Sequence, residues 1–176
     1  MNAELLLGFD ALAVATTAAF IDVKQRRIPN WLTYPTILLG ILLRWCFFGW
    51  QGLGSAVAGC LLAGGIVFLF YLVRAMGAGD VKLLAAIGSL LGPHAAGVVL
   101  VATAIAGGAL ALGYVFARRC VGTTLRNTGS ALLFHSWRGF KAHPELNLDN
   151  PAALRMPYGL AIATGTLYAF LAICWR

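Results

Sequence analysis

Apolar stretches of about the length needed to cross a lipid bilayer occupy most of this chain of 176 residues. A transmembrane helix needs about 20 predominantly apolar residues. The sequence predicts apolar helices at 4–22, 31–49, 54–74, 81–92, 94–117 and 156–175. Because 60% of the residues are hydrophobic and 11% are charged, a water-soluble domain of this size could not bury them all. We therefore expect a single all-α, polytopic membrane domain over residues 1–176.

The fourth stretch, 81–92, is short for a full crossing. Pro93 follows it, and proline cannot continue a helix without losing a backbone hydrogen bond. The stretch is either a short, tilted crossing or a re-entrant half-helix. If it crosses and the N-terminus lies outside, most Lys and Arg residues fall in the cytoplasmic segments 23–30, 75–80 and 118–155, as the positive-inside rule requires. We therefore predict about six transmembrane helices, the fourth short, with both termini outside.

The same topology accounts for the net charge of +7. The basic residues lie between apolar spans and form no continuous patch, so nucleic acid is not an expected partner. The four cysteines, at positions 46, 60, 120 and 174, form no CxxC pair, which argues against a zinc site or a disulfide framework. No basic residue precedes the first apolar run, so we expect this run to be retained rather than removed as a signal peptide.

Two acidic residues sit at the cytoplasmic ends of predicted spans: Asp22 closes the first and Asp80 opens the fourth. Ionisable side chains at membrane depth are costly and usually face the bundle interior or water. Two adjacent carboxylates can share one proton. The ionised member can then take a proton from water while the protonated member hydrogen-bonds the scissile carbonyl oxygen. This is aspartic-protease chemistry, and it requires no metal or cofactor.

Each aspartate also has a plainer interpretation. Asp80 follows Gly77 and Gly79, which lack Cβ and so permit a sharp turn or a close approach of another chain segment; it is either catalytic or only the N-cap of a helix. Asp22 is either catalytic or an interfacial charge before a basic loop. Glu4, near the predicted outer surface, is expected to be a solvated charge.

Three segments, taken together and in this order, resemble the type IV prepilin peptidases, the GxGD-type aspartyl proteases of the bacterial inner membrane. They are FIDVKQRRIPNWLTYP, GAGDVKLLAAIG and RMPYGLAIA, at 20–35, 77–88 and 155–163. The resemblance implies that Asp22 and Asp80 are the catalytic pair. It implies a prepilin or pseudopilin substrate, cleaved on the cytoplasmic side after glycine and just before an apolar helix.

The resemblance also suggests which residues surround the site. These active-site loop and substrate residues are Gly77, Gly79, Lys82, Pro29, Pro157, Tyr158 and Gly159. Lys82 either acts on Asp80 as an opposite charge or anchors its helix at the level of the lipid phosphates. Pro29 is expected to set the start of the second span, with Asn30 as its cap.

The chain departs from the long members of that family, which carry a cytoplasmic domain with paired CxxC motifs and also N-methylate the new terminus. It starts at its first span and has no CxxC. It therefore resembles the short, stand-alone peptidases of tight-adherence (Flp-type) pilus systems, and we expect no methyltransferase activity. Membrane lipid and components of pilus or secretion assemblies are the other expected partners.

Two rival functions remain open. A small proton-coupled transporter or channel would use the two aspartates as a relay, with carboxylates nearer mid-span and usually an internal repeat. A non-catalytic assembly subunit would tolerate replacement of either aspartate. The peptidase is the leading hypothesis because both aspartates fall at one membrane face and the three motifs occur in register.

Overall fold

The computed structural model describes residues 3–74, 76–117 and 158–175, and the regular structure in these ranges is entirely α-helical. The helices are α1 (Ala3–Gln25), α2 (Asn30–Leu72), α3 (Ala78–Ala117) and α4 (Tyr158–Cys174). Among them, α1, α2 and α3 are long and apolar enough to cross a membrane, and α4 is a shorter apolar helix. The all-α membrane architecture is thus confirmed. The predicted cytoplasmic segment 118–155 and Pro157 lie outside the described residues.

Glycines interrupt the two longest helices. α2 has 43 residues, and a straight helix of that length would measure about 65 Å, roughly twice the 30 Å core of a bilayer. Gly49 in α2 (φ 60°, ψ −145°) and Gly92 in α3 (φ 77°, ψ 175°) have non-helical backbones, of a kind that glycine adopts without steric cost. We refer to the parts before and after each glycine as the first and second segments of α2 and α3. The break predicted at Pro93 occurs at the residue before it.

The backbone reverses direction at Gly49. Gly52 packs directly against the backbone carbonyl group of Arg44. Residues eight apart in a straight helix are separated by about 12 Å along the axis, so this contact requires the second segment of α2 to fold back on the first.

Small residues bring the second segment of α2 against the first segment of α3. Gly59 lies against the backbone of Gly88 and Gly92, and a Cβ placed on Gly64 would lie 2.9 Å from the Cβ of Ala85. Residue numbers rise along one segment as they fall along the other, so the two run antiparallel. Residues without large side chains let helix backbones approach closely in lipid, and Gly88 and Gly92 have the GxxxG spacing that is typical of such contacts.

α1 and α4 also run antiparallel. Gly8, near the start of α1, lies beside the ring of Phe170 in the last turns of α4, and Asp22, near the end of α1, lies beside Gly159 at the start of α4. This pairing brings the C-terminal end of α1 and the N-terminal end of α4 to one end of the helix bundle. Both predicted catalytic segments meet there.

Candidate active site

The two predicted catalytic aspartates line one cavity of about 470 Å³. Its walls are Asp22, Asp80, two glycines of the GxGD segment and residues 25–30 of the loop between α1 and α2. Neither carboxylate forms an ion pair with a Lys or Arg side chain of the described ranges. Two acids that are 58 residues apart in sequence therefore face the same cavity, which Arg26 and Arg27 also line without forming an ion pair to either acid within the described residues.

Asp22 is held in place from α4. It lies in the last turns of α1, only 8% of its surface is exposed, and its Oδ2 accepts a hydrogen bond of 2.9 Å from the backbone N–H of Gly159. The first N–H groups of a helix lack intrahelical partners, and the helix dipole makes this end favourable for a negative charge. The start of α4 is thus an anion-binding position that Asp22 occupies.

The bond to Asp22 depends on Gly159 having no side chain. A Cβ added to Gly159 would lie 3.0 Å from both the Cβ and the Oδ2 of Asp22. Sequence analysis expected Gly159 at the edge of the site, whereas the structure puts it in direct contact with a carboxylate. The Pro-Tyr-Gly spacing was the available signal, but it did not specify the contact.

Asp80 lies in the first turn of α3 and is partly buried. α3 begins at Ala78, two residues earlier, and the N–H of Asp80 already donates to the carbonyl of Gly77 at 3.2 Å. The alternative that Asp80 is only the N-cap of this helix does not match these bounds. Its side chain instead lines the cavity that it shares with Asp22.

Close approach, and not an unusual backbone conformation, explains the glycines of the GxGD segment. The described glycines with positive φ are Gly49 and Gly92, so neither Gly77 nor Gly79 uses that region. A Cβ on Gly79 would lie 3.0 Å from the Cβ of Ile28 in the α1–α2 loop, and one on Gly77 would lie 3.2 Å from Oδ2 of Asp80. These glycines let the loop and the carboxylate come close to the start of α3.

Lys82 joins the starts of α2 and α3. Its Nζ donates a hydrogen bond of 3.0 Å to Oδ1 of Asn30 and lies 4.8 Å from the centre of the Tyr34 ring. The sequence predicted Asn30 as the cap of α2, and this prediction is wrong. Pro29 occupies the N-cap position, without a side-chain cap bond, and Asn30 is the first helical residue. Its carboxamide instead accepts the Lys82 hydrogen bond. These contacts join Lys82 to α2, and they test neither the lipid-anchor nor the opposite-charge interpretation of this residue.

An ion pair that the sequence did not predict joins the half-exposed Glu4 to the buried Arg44 at the opposite end of the bundle. Glu4 was expected to be solvated, but its Oε2 lies 2.9 Å from Nη2 of Arg44, which is 5% exposed. Arg44 also donates to the carbonyls of Leu90 and Leu91 at 2.8 and 2.7 Å. An arginine inside a predicted apolar span was the available signal, but Glu4, Leu90 and Leu91 are 40 or more residues away in sequence.

The sequence of this chain is similar to those of known proteins. The type IV leader peptidase family matches the chain over residues 11–112, more than half of its length. The chain is 34% identical over 123 residues to a prepilin leader peptidase/N-methyltransferase of Aeromonas hydrophila, covering 66% of this chain and 41% of that protein. It is 34% identical over 117 residues to a Burkholderia pseudomallei protein of the same name, covering 61% and 37%.

An archaeal relative is also similar. The prepilin peptidase EppA of Methanothermobacter thermautotrophicus is 38% identical over 99 residues, covering 52% of this chain and 25% of that protein. The chain spans about two fifths or less of the length of these curated relatives. No solved structure matches it significantly. The family match includes Asp22, Asp80 and the loop that lines their cavity, and the chain belongs to the type IV leader peptidase family.

Proposed function

We propose that this protein is a membrane-embedded aspartic endopeptidase that removes the leader peptide of prepilin or pseudopilin precursors. The observation that carries the proposal is the cavity shared by Asp22 and Asp80, in which neither carboxylate is ion-paired to a described basic side chain. The family and the names of the relatives support the substrate class.

The proposed reaction uses the two carboxyl groups with one proton between them, as in other aspartic proteases. The ionised carboxylate takes a proton from water, and the protonated one hydrogen-bonds the oxygen of the scissile carbonyl. Water attacks the carbonyl carbon, and the acid then donates a proton to the departing amine as the peptide bond breaks. The N–H of Gly159 would hold the Asp22 carboxylate in position throughout. No step requires a metal or a cofactor.

We further propose six membrane crossings in this single domain. The breaks at Gly49 and Gly92 divide α2 and α3 into two apolar segments each, and these join α1 and α4 to give six, with the short fourth ending at Gly92. Lys24, Arg26 and Arg27 lie at the end that holds the cavity. The positive-inside rule then orients this end towards the cytoplasm, with the enzyme in the inner membrane beside pilus or secretion assembly components.

A proton relay remains the rival function. A relay needs ionisable groups spaced across the bilayer, whereas the aspartates at 22 and 80 share one cavity at one end of the bundle. This arrangement favours hydrolysis over transport.

Co-expression with a prepilin, followed by mass analysis of its N-terminus, tests the proposal. Asp22→Asn and Asp80→Asn should each lower cleavage by about 10²–10⁴-fold, the usual contribution of an acid–base group, while the protein still inserts in the membrane. Asp10→Asn is the matched control: it changes an aspartate of the same helix about 18 Å away along the axis, and it should cleave normally. Normal cleavage by either cavity variant would refute the two-aspartate mechanism. The same spectrum should show no added methyl group.

A further inference from the structure

A second, apolar cavity of about 240 Å³ lies between the second segments of α2 and α3. Its lining includes Ile66, Phe70, Met76, Leu100, Ala104 and Tyr158. Two of these residues adjoin the catalytic cavity. Met76 precedes Gly77, which lines that cavity, and Tyr158 precedes Gly159, which bonds Asp22. The two cavities are therefore neighbours, one polar and one apolar.

The apolar cavity extends from this boundary along the apolar part of the bundle. Its remaining walls are formed by 66–70 of α2, by Leu84 in the first segment of α3 and by 100–104 in the second segment of α3. Ile66, Phe70 and Ala104 are exposed at its rim, so a helix lying in the surrounding lipid can reach it. A volume of 240 Å³ is below the roughly 300–1,000 Å³ of sites that enclose whole ligands. It suits one or two apolar side chains presented by a helix.

A larger groove on the other side of α3 provides a comparison. It measures about 740 Å³, and its lining includes His94, Ala102, Ile105 and Tyr168. None of its described lining residues adjoins a residue that contacts Asp22 or Asp80. Size alone would favour this groove as the place where the substrate binds. A substrate that is cut at the aspartates, however, must have the residues that follow the cleaved bond beside them.

We infer that the smaller cavity, which we call the prime-side groove, receives the first apolar side chains that follow the cleaved bond. The inference rests on the proposed function and deepens it. A precursor whose peptide bond lies between Asp22 and Asp80 continues into an apolar helix, and the adjoining apolar space runs past Met76 and Tyr158 towards the membrane interior. The groove then selects precursors by the size of these first side chains.

Two alanines on the second segment of α3 allow a matched test. Ala104 lines the prime-side groove, and Ala102 lines the larger groove. The probes are two synthetic precursors, each with a basic leader that ends in glycine and an apolar helix of about 20 residues. One precursor has Phe as the first residue after the cut, and the other has Ala.

Ala104→Trp should fill the prime-side groove and raise KM for the Phe precursor about tenfold, within the usual range for overpacking, with a smaller rise for the Ala precursor. Ala102→Trp should leave both KM values within about twofold of the parent, a change of less than 1 kcal/mol. A photoreactive benzophenone side chain in place of Ala104 should crosslink to the Phe precursor, and the same group in place of Ala102 should not. Membrane insertion of each variant is checked first.

The outcomes separate the two proposals. If the parent enzyme cuts the precursors but Ala104→Trp has the parent KM for both, or if crosslinks form from position 102 and not from 104, the groove assignment is wrong and the peptidase proposal stands. If the parent enzyme cuts neither precursor, the proposed function fails, and the groove assignment fails with it.

Discussion

The charged side chains at the two ends of the helix bundle differ in their hydrogen-bond partners. At one end, Arg44 is nearly enclosed and uses its guanidinium group on Glu4, Ser55 and two backbone carbonyls. At the other end, Asp22 and Asp80 face an open polar cavity, with no ion pair to a described basic residue. A charge whose hydrogen bonds are satisfied by protein stabilises the fold, whereas a charge that faces open space is available to a substrate.

The hydrogen bonds of Arg44 depend on the break in α3. At Gly92 the helix stops, and the carbonyls of Leu90 and Leu91 lose their partners in the next turn. A buried carbonyl without a hydrogen-bond partner is costly. Arg44 supplies the missing donors, and Glu4 balances its charge. The contacts of Arg44 are thus a consequence of the break at Gly92 that divides α3 into two segments.

Removing Arg44 should have the largest effect on stability. Arg44→Met keeps most of the side-chain volume but leaves the carbonyls of Leu90 and Leu91 without their donor, so we expect a loss of about 3 kcal/mol, since each buried carbonyl left unpaired costs about 1–3 kcal/mol. Thermal unfolding in detergent measures it. Glu4→Gln should cost less than about 1 kcal/mol, because the Glu4 side chain is 47% exposed. Equal costs for the two variants would show that the ion pair, and not the carbonyl bonds, is what Arg44 supplies.

A substitution beside the cavity of Asp22 and Asp80 should lower activity and leave stability unchanged. Gly159→Ala places a Cβ 3.0 Å from Oδ2 of Asp22, and the carboxylate must shift to avoid it. The shift needed is a few tenths of an ångström. Because a displacement of about 1 Å can cost about 100-fold in rate, we expect a loss of cleavage of about threefold to tenfold with little change in Tm. Gly108→Ala is the control, since a Cβ there meets nothing within 4 Å, and it should cleave like the parent. Parent-like cleavage by Gly159→Ala would mean that this contact does not position Asp22.

The sequence was sufficient for the features that depend on local pattern. Apolar stretches predicted the helices, because membrane-length runs of apolar residues have few alternatives in water or lipid. Pro93 predicted a break that the structure has at Gly92. The positions of Asp22 and Asp80 at span ends, combined with alternating span direction, predicted a shared location, and the two line one cavity.

The features that depend on contacts between distant segments could not be obtained in this way. The bonds from Arg44 to Glu4 and Leu90 join residues 40 and 46 positions apart, and no spacing rule links them. The same holds for Gly159 and Asp22, 137 positions apart. Asn30 was expected to cap α2 because Asn is a good cap residue, but its carboxamide is taken by Lys82, a partner that only the tertiary fold supplies.

A smaller effect is expected at the break itself. Gly92→Ala forces an L-residue into φ 77° and brings a Cβ to 2.6 Å from Oγ of Ser55. This combination of φ and ψ lies in a region that is essentially restricted to glycine and costs other residues about 1–3 kcal/mol, so we expect a loss of about 2 kcal/mol in thermal unfolding. Gly97→Ala lies in the next segment with nothing within 4 Å of the added Cβ, and it should not lose stability. If both variants unfold alike, the backbone at Gly92 is not the constraint that divides α3.

The smallest effect should follow the loss of Lys82, and its form decides between the two readings of that residue. Lys82→Met removes the hydrogen bond to Asn30 and the contact with the Tyr34 ring. Exposed interactions of this kind contribute about 1 kcal/mol or less, so an anchor predicts a small fall in Tm and cleavage within a few-fold of the parent, with an unchanged pH profile. Asn30→Ala should reproduce the fall in Tm, because it removes the same hydrogen bond from the other side. A shift of the pH–rate profile in Lys82→Met, but not in Asn30→Ala, would instead mean that the ammonium group acts on Asp80, and the open end would then contain a cation that serves the carboxylates.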